Sequence, residues 1–334
     1  MYSFSVTLIM FRTELNFPPS TEKIGLKDTI VSLGSCFADN HGERLILNKL
    51  SCLVNPAGII YNPYSICKVI DYALNEELPD QASYLQHDGV FSNFDFHSRI
   101  SDTDGIKLQQ KISHSLHQLQ KNLVRAKWLI ITFGTAVVYT RKDNKIIVAN
   151  CHKVPASKFN KGMLSQKQIL AVFMHTYQSI MAANPEIQIL LTVSPVRHVR
   201  DTLEINSISK AILRITSDTL KTELPNIHYF PSYEIMMDDL RDYRFYADDL
   251  IHPSHQAMNY IWEKFCKGFM DDALLDFINK WGEIRKDLNH RPFHPETKSH
   301  LQFLTNTLEK LKQLSGEVNL EVEIAQLEKQ LNDK

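Results

Sequence analysis

The stretch IVSLGSCFAD (residues 30–39) decides the fold. A β-branched apolar run closes on Gly34. Ser35 and Cys36 then open CFADNHGERLILNKL, whose Leu45, Leu47 and Leu50 suit a helix. A parallel strand that turns into a helix through a small residue places the next side chain at the carboxyl edge of the sheet. There it sits beside the positive end of the helix dipole. Two readings compete: an N-cap serine followed by a buried cysteine, or a nucleophile where developing negative charge is favoured.

The rest of the chain repeats the pattern. AKWLIITFGT (126–135), IQILLTVSPV (187–196) and IHYFPSYEIM (227–236) read as strands, each of the first two ending in a small-residue turn. SQKQILAVFMHTYQSIMAAN (165–184) and NSISKAILRITSDTLKTEL (206–224) read as helices between them. Strands apolar on both faces and alternating with helices predict a three-layer α/β/α sandwich around a mainly parallel sheet. Residues 55–110 and 139–160 break that rhythm and read as long loops around the sheet's open edge, where ligands bind. From about residue 276 onward strand signals vanish. Leu304, Leu308 and Leu311, then Leu320, Ile324, Leu327 and Leu331, flank Gly316 at helical spacing. This predicts a helical hairpin over 276–334, packed on the main domain of 12–275 or pairing with a second copy in a homodimer.

Composition narrows the function classes. Thirty-seven basic against 38 acidic residues leave a net charge of -1, with no dense Lys/Arg run, so neither nucleic acid nor an anionic membrane is expected as a partner. Five scattered cysteines without a CxxC pair fit reduced thiols rather than a disulfide scaffold or structural zinc. The apolar run Val6–Phe11 is too short, and lacks the flanks, for a signal peptide, and no later window reaches transmembrane length. Residues 1–11 are read as a disordered extension and the chain as cytoplasmic. No phosphate-binding glycine loop follows a strand, no HxxxH or CxxC spacing supports a metal site on His152, His198 and His252, and no cofactor is expected.

Near the end of this pattern lies YADDLIHPSHQAMNYIWEKF (246–265). Asp249 stands three residues before His252 on one loop, so its carboxylate can hold the imidazole Nδ1 and leave Nε2 free as a base. Asp248 is the neighbouring alternative. Without a nucleophile the same residues would read as an ordinary loop that caps the following helix.

Gly34-Ser35-Cys36-Phe37-Ala38 resembles the motif that names the GSCFA family, a branch of the SGNH (GDSL-like) hydrolase superfamily. The resemblance runs from about residue 12 to 270. It extends through NPAGIIYNPYS (55–65), NFDFHSR (93–99), FGTAVVY (133–139), NCHKVP (150–155), SPVRH (194–198), NSISKAIL (206–213) and DDLIHPS (248–254). It implies an SGNH-hydrolase, flavodoxin-like α/β/α fold and a Ser–His–Asp triad formed by Ser35, His252 and Asp249. Gly34-Ser35-Cys36 stands where that superfamily has Gly-Asp-Ser, so the serine comes one position early and Cys36 is the alternative nucleophile. The resemblance also implies oxyanion donors from a glycine and from an asparagine in a Gly-x-Asn block. Gly58 could serve as the glycine. The block here is Gly134-Thr135-Ala136, without asparagine, and a substitute is sought among Thr135, Asn62, Asn150 and His152. His97 and Arg197 are further candidate substrate contacts from the loops.

The implied activity is a serine esterase, working through an acyl-enzyme on ester-linked acyl groups of a carbohydrate or small metabolite. An O-acyltransferase and a non-catalytic binding or scaffold protein on a degenerate fold are the alternatives.

Overall fold

The computed structural model describes residues 13–332, so the reading of residues 1–11 falls outside it. Five strands form one parallel sheet: β1 (Thr29–Gly34), β2 (Ser51–Val54), β5 (Trp128–Phe133), β9 (Gln188–Val193) and β10 (Ile227–Phe230). Their spatial order is β2-β1-β5-β9-β10. Taken in chain order these five strands run 2-1-3-4-5, a doubly wound arrangement that reverses direction between β1 and β5. Crevices open at that switch point.

The period-2 alternation of each strand sorts its side chains into two cores. Val31, Leu129, Ile131, Ile189 and Leu191 face one side. They pack there with α2 (Pro63–Leu74), α3 (Gly105–Arg125), α4 (Gln166–Ala183) and α5 (Thr202–Glu223). Ile30, Trp128, Ile130 and Leu190 face the other side, against α1 (Cys36–Leu47) and, past the single turn α6 (Ser232–Glu234), α7 (His255–Phe269) and α8 (Asp272–Leu288). The result is the expected α/β/α sandwich.

The C-terminal helices α9 (Lys298–Leu314) and α10 (Glu321–Asn332) form the predicted hairpin, and their leucine stripe is buried within the chain. Leu304, Leu311, Leu314, Leu320 and Leu327 join the core that holds Phe37 and Leu45 of α1. Trp281 donates its indole N–H to the Leu47 carbonyl at 2.8 Å, and Lys49 pairs with Glu323 at 2.5 Å. The extension is therefore tied to the end of α1.

Three strand features depart from the sequence reading. β2 is a fifth strand of the sheet; only four residues long and half-buried at the edge, it shows no apolar run. The presumed loops also contain two small antiparallel sheets. One is the hairpin β3 (Tyr84–His87) and β4 (Val90–Asn93), closed by Asp88-Gly89 with both φ angles positive. The other places β6 (Val137–Arg141) between β7 (Ile147–Val148) and β8 (Phe159–Met163).

Gly34 makes the turn from β1 to α1 possible. Its φ is 135°, and a Cβ there would lie 2.2 Å from the Thr132 carbonyl oxygen on β5. Gly34→Ala is expected to cost about 3 kcal/mol through strain and the backbone shift it forces. Urea unfolding measures this; an unchanged midpoint would mean that the turn relaxes freely.

Candidate active site

The segments after four of the five strands converge at the carboxyl edge of the sheet. Cys36 follows β1, Tyr61 and Asn62 follow β2, Thr135 follows β5, and Val196–Arg200 follow β9. Ile251 and His252 come from the loop before α7. Together they line a cavity of about 450 Å³ that also touches β6 and β7.

The local sequence explains each position. Ser35 caps α1: it is 1% exposed, and its Oγ accepts a hydrogen bond from Phe37 N at 3.3 Å. Capping turns that hydroxyl back onto the helix. Cys36 is thereby the first helical residue, half-buried, with its side chain on the cavity wall. Loop 246–253 doubles back on itself, with Ala247 N donating to His252 O at 2.8 Å and Ser254 N to Phe245 O at 2.7 Å. Leu250, at φ 57°, makes the bend. Asp249 Oδ1 accepts from the backbone N–H groups of Ile251 (2.9 Å) and His252 (3.0 Å), and its Oδ2 lies 2.7 Å from His252 Nδ1. On the other side of the ring, His252 Nε2 lies 3.6 Å from Cys36 Sγ, within hydrogen-bond reach for sulfur. A thiol, an imidazole and a carboxylate thus stand in line. The hydroxyl of Ser35 is not the group that His252 meets.

A model described as the GSCFA family matches residues 29–265, and a second, GSCFA domain protein, C-terminal domain, matches residues 281–333. The chain belongs to the GSCFA family. Searches of curated proteins and of solved structures find no match. In this GSCFA chain the name-giving motif is therefore the hinge between the first strand and the helix whose first residue faces the cavity.

The other residues singled out from sequence divide into two groups. Asn62 and Arg197 line the cavity. Asn62 caps α2 by accepting from Ser65 N at 2.8 Å, which leaves its Nδ2 without a partner among the described residues. Neither that amide nor the Cys36 N–H, at the start of α1, is donated to another of the described residues.

Gly58 and Gly134 are not free to serve as oxyanion donors. Gly134 N and Thr135 N both donate to the Tyr61 carbonyl, at 2.7 and 3.1 Å, and Gly58 N donates to Asn55 O at 2.8 Å. Gly58 is required by packing: its φ is 76°, and a Cβ would fall 2.3 Å from His97 Cβ. Thr135 lines the cavity, but its hydroxyl is engaged by Ser209 at 3.0 Å and by Val137 N. Asn150, His152 and His97 do not line this cavity. Asn150 Oδ1 accepts from His152 N, His152 Nε2 bonds to Asn93 O at 2.7 Å, and His97 Nδ1 accepts from Arg99 N. Among the described residues, no group of three or more His, Cys, Asp or Glu side chains is placed to hold a metal ion, and no helix is long and apolar enough to cross a membrane.

Sequence reasoning missed Lys210. On α5 it is only 1% exposed, and its Nζ donates to Gly134 O at 2.7 Å and Ser194 O at 2.6 Å. It clamps the ends of β5 and β9 directly under the cavity. Burial pushes its ammonium down to about 7, and Cys36 opposes that shift. Burial pushes the Cys36 thiol up, opposed by the N–H groups of Phe37 and of Cys36 itself and by Lys210, and reinforced by Asp39. The cysteine therefore rests as a thiol that needs a base. His198, edge-on to Tyr61, is pushed down to about 4 by burial, Lys210 and His252, so it is a neutral wall of the cavity. The His252 backbone N–H, then its imidazole and the Ile251 N–H, hold Asp249 down to about 2; the base is thus oriented by a full carboxylate.

Proposed function

We propose that this chain is an acyl hydrolase or acyltransferase in which Cys36 is the nucleophile, His252 the base and Asp249 the group that orients it. The observation that carries the reading is the 3.6 Å approach of Cys36 Sγ to His252 Nε2, with Nδ1 anchored on Asp249 at 2.7 Å. His252 takes the thiol proton as sulfur attacks an acyl carbonyl. The Cys36 N–H and Asn62 Nδ2 receive the negative oxygen. The protonated imidazole then delivers its proton to the departing alcohol or thiol, leaving a thioester on Cys36. Water or an acceptor hydroxyl, deprotonated by the same imidazole, releases the acyl group. The 2-1-3-4-5 strand order, a nucleophile just after the first strand and an Asp-x-x-His pair late in the chain support kinship with the SGNH hydrolases, with sulfur in place of oxygen. The substrate class we favour is an ester-linked acyl group on a carbohydrate or small metabolite.

The test is the rate of Cys36 alkylation by iodoacetamide, read peptide by peptide. His252→Ala is expected to slow the reaction at Cys36 by about 10²-fold in the folded chain. A Cys36 that reacts at the same rate in both proteins would make the site a binding or scaffold surface instead.

A further inference from the structure

The cavity beside Cys36 is positively charged and has no carboxylate of its own. Its lining includes Arg197 and Arg200, on the segment after β9, and no Asp or Glu. The carboxylates of Asp39 and Asp249 are engaged elsewhere. Asp39 accepts from Arg99 at 2.6 Å and from Asn55 at 2.5 Å, and Asp249 is held by His252. Lys210, whose ammonium burial pushes down to about 7, is bonded to the carbonyls of Gly134 and Ser194, so the positive charge at the cavity rests on the two arginines. Two guanidiniums in a lining without a carboxylate favour an anion there. Arg197 is held in place by the Tyr246 ring, 4.0 Å from its guanidinium carbon, and Arg200 has no ion-pair partner among the described residues. The facing wall is apolar, built by Val137, Val138 and Val148. Pockets pair such apolar walls with a few charged groups that fix orientation.

We infer that the cavity takes an organic anion, an acyl compound carrying a carboxylate or phosphate beyond a short apolar stretch, with Arg200 and Arg197 receiving the charge. This rests on the acyl-transfer reading, since Cys36 would be the group that meets the acyl carbon.

The experiment compares alkylation of Cys36 by iodoacetate, an anion, and by neutral iodoacetamide in the full chain. The rate ratio is divided by that of free cysteine. The wild type is expected to favour iodoacetate by about tenfold after this correction. Arg200→Gln should bring the ratio down several-fold, and Arg200→Glu should push it below one, with thermal midpoints confirming that each variant is folded. A corrected wild-type ratio at or below one overturns the inference. By contrast, a Cys36 whose rate with both reagents is unchanged by His252→Ala overturns the acyl-transfer reading itself. Succinate and inorganic phosphate, added as protectants against iodoacetamide, identify the anion by which of them slows the reaction. Protection by neither also overturns the inference.

Discussion

Cys36→Ala is expected to abolish turnover of acyl esters, a fall of at least about 10³-fold in kcat, while Ser35→Ala leaves kcat within a few-fold of wild type. The difference follows from where α1 begins. Ser35 Oγ is committed to Phe37 N, and the residue is 1% exposed. Its hydroxyl can serve as a cap but cannot reach a substrate without unwinding the first turn. Its loss should appear as about 1 kcal/mol of stability, the usual cost of an N-cap. Cys36 Sγ has the opposite assignment: it lines the cavity and faces His252. Cys36→Ser should sit between the two. It keeps a nucleophilic atom at the same position but raises the energy of the anion, because a hydroxyl is far less acidic than a thiol. Initial rates on p-nitrophenyl acetate and on an acetyl thioester, beside thermal unfolding, measure all three. If Ser35→Ala is the inactive variant and Cys36→Ala still turns over, the assignment of the nucleophile is wrong.

That pair of residues also shows what the sequence can and cannot reveal. A strand passing through Gly34 into a helix, with a base and its carboxylate on a later loop, is legible from spacing alone. The sheet and the location of the site follow from it. Which of two adjacent side chains faces the base is decided by capping geometry, since the N-cap turns inward and the next position turns outward. The SGNH analogy favoured the hydroxyl, and the structure turns it away from His252. The engagement of the glycines was hidden for a related reason: a glycine N–H is useful only if nothing else has taken it, and Tyr61 and Asn55 take those of Gly134 and Gly58. Lys210 was invisible because a lysine within ISKAIL reads as an exposed helix position. Its burial depends on two strand ends meeting above it. The accessory sheets escaped because their strands are short, antiparallel and partly polar, without the doubly apolar runs that mark the parallel core.

The second large effect concerns acid. His41 lies on α1, five residues past Cys36, and is 3% exposed. Its ring stacks on Phe37 with centroids 5.1 Å apart and meets Phe265 edge-on at 4.6 Å. Neither ring nitrogen has a hydrogen-bond partner among the described residues. Burial, and then the neighbouring Arg44, push the imidazole down to about 3. The unfolded chain takes up a proton near pH 6.5 while the folded chain does not, so protons drive unfolding and stability falls as the pH falls below 6.5. Between pH 6.5 and pH 4 this one side chain should remove about 3 kcal/mol. His41→Leu keeps the volume and removes the titration. Its urea-unfolding curve should match or exceed wild type at pH 7.5, since an unpartnered polar group is lost. It should then stay above wild type by a margin that widens to about 3 kcal/mol at pH 4. Other histidines depressed by burial, such as His152 and His228, titrate in both proteins and cancel in the difference. Parallel curves would mean that His41 finds a partner for its proton inside the aromatic cluster. A widening gap would show that the helix presenting Cys36 is held to the sheet by a histidine that must stay neutral, so loss of the site in acid would begin in the core rather than at His252.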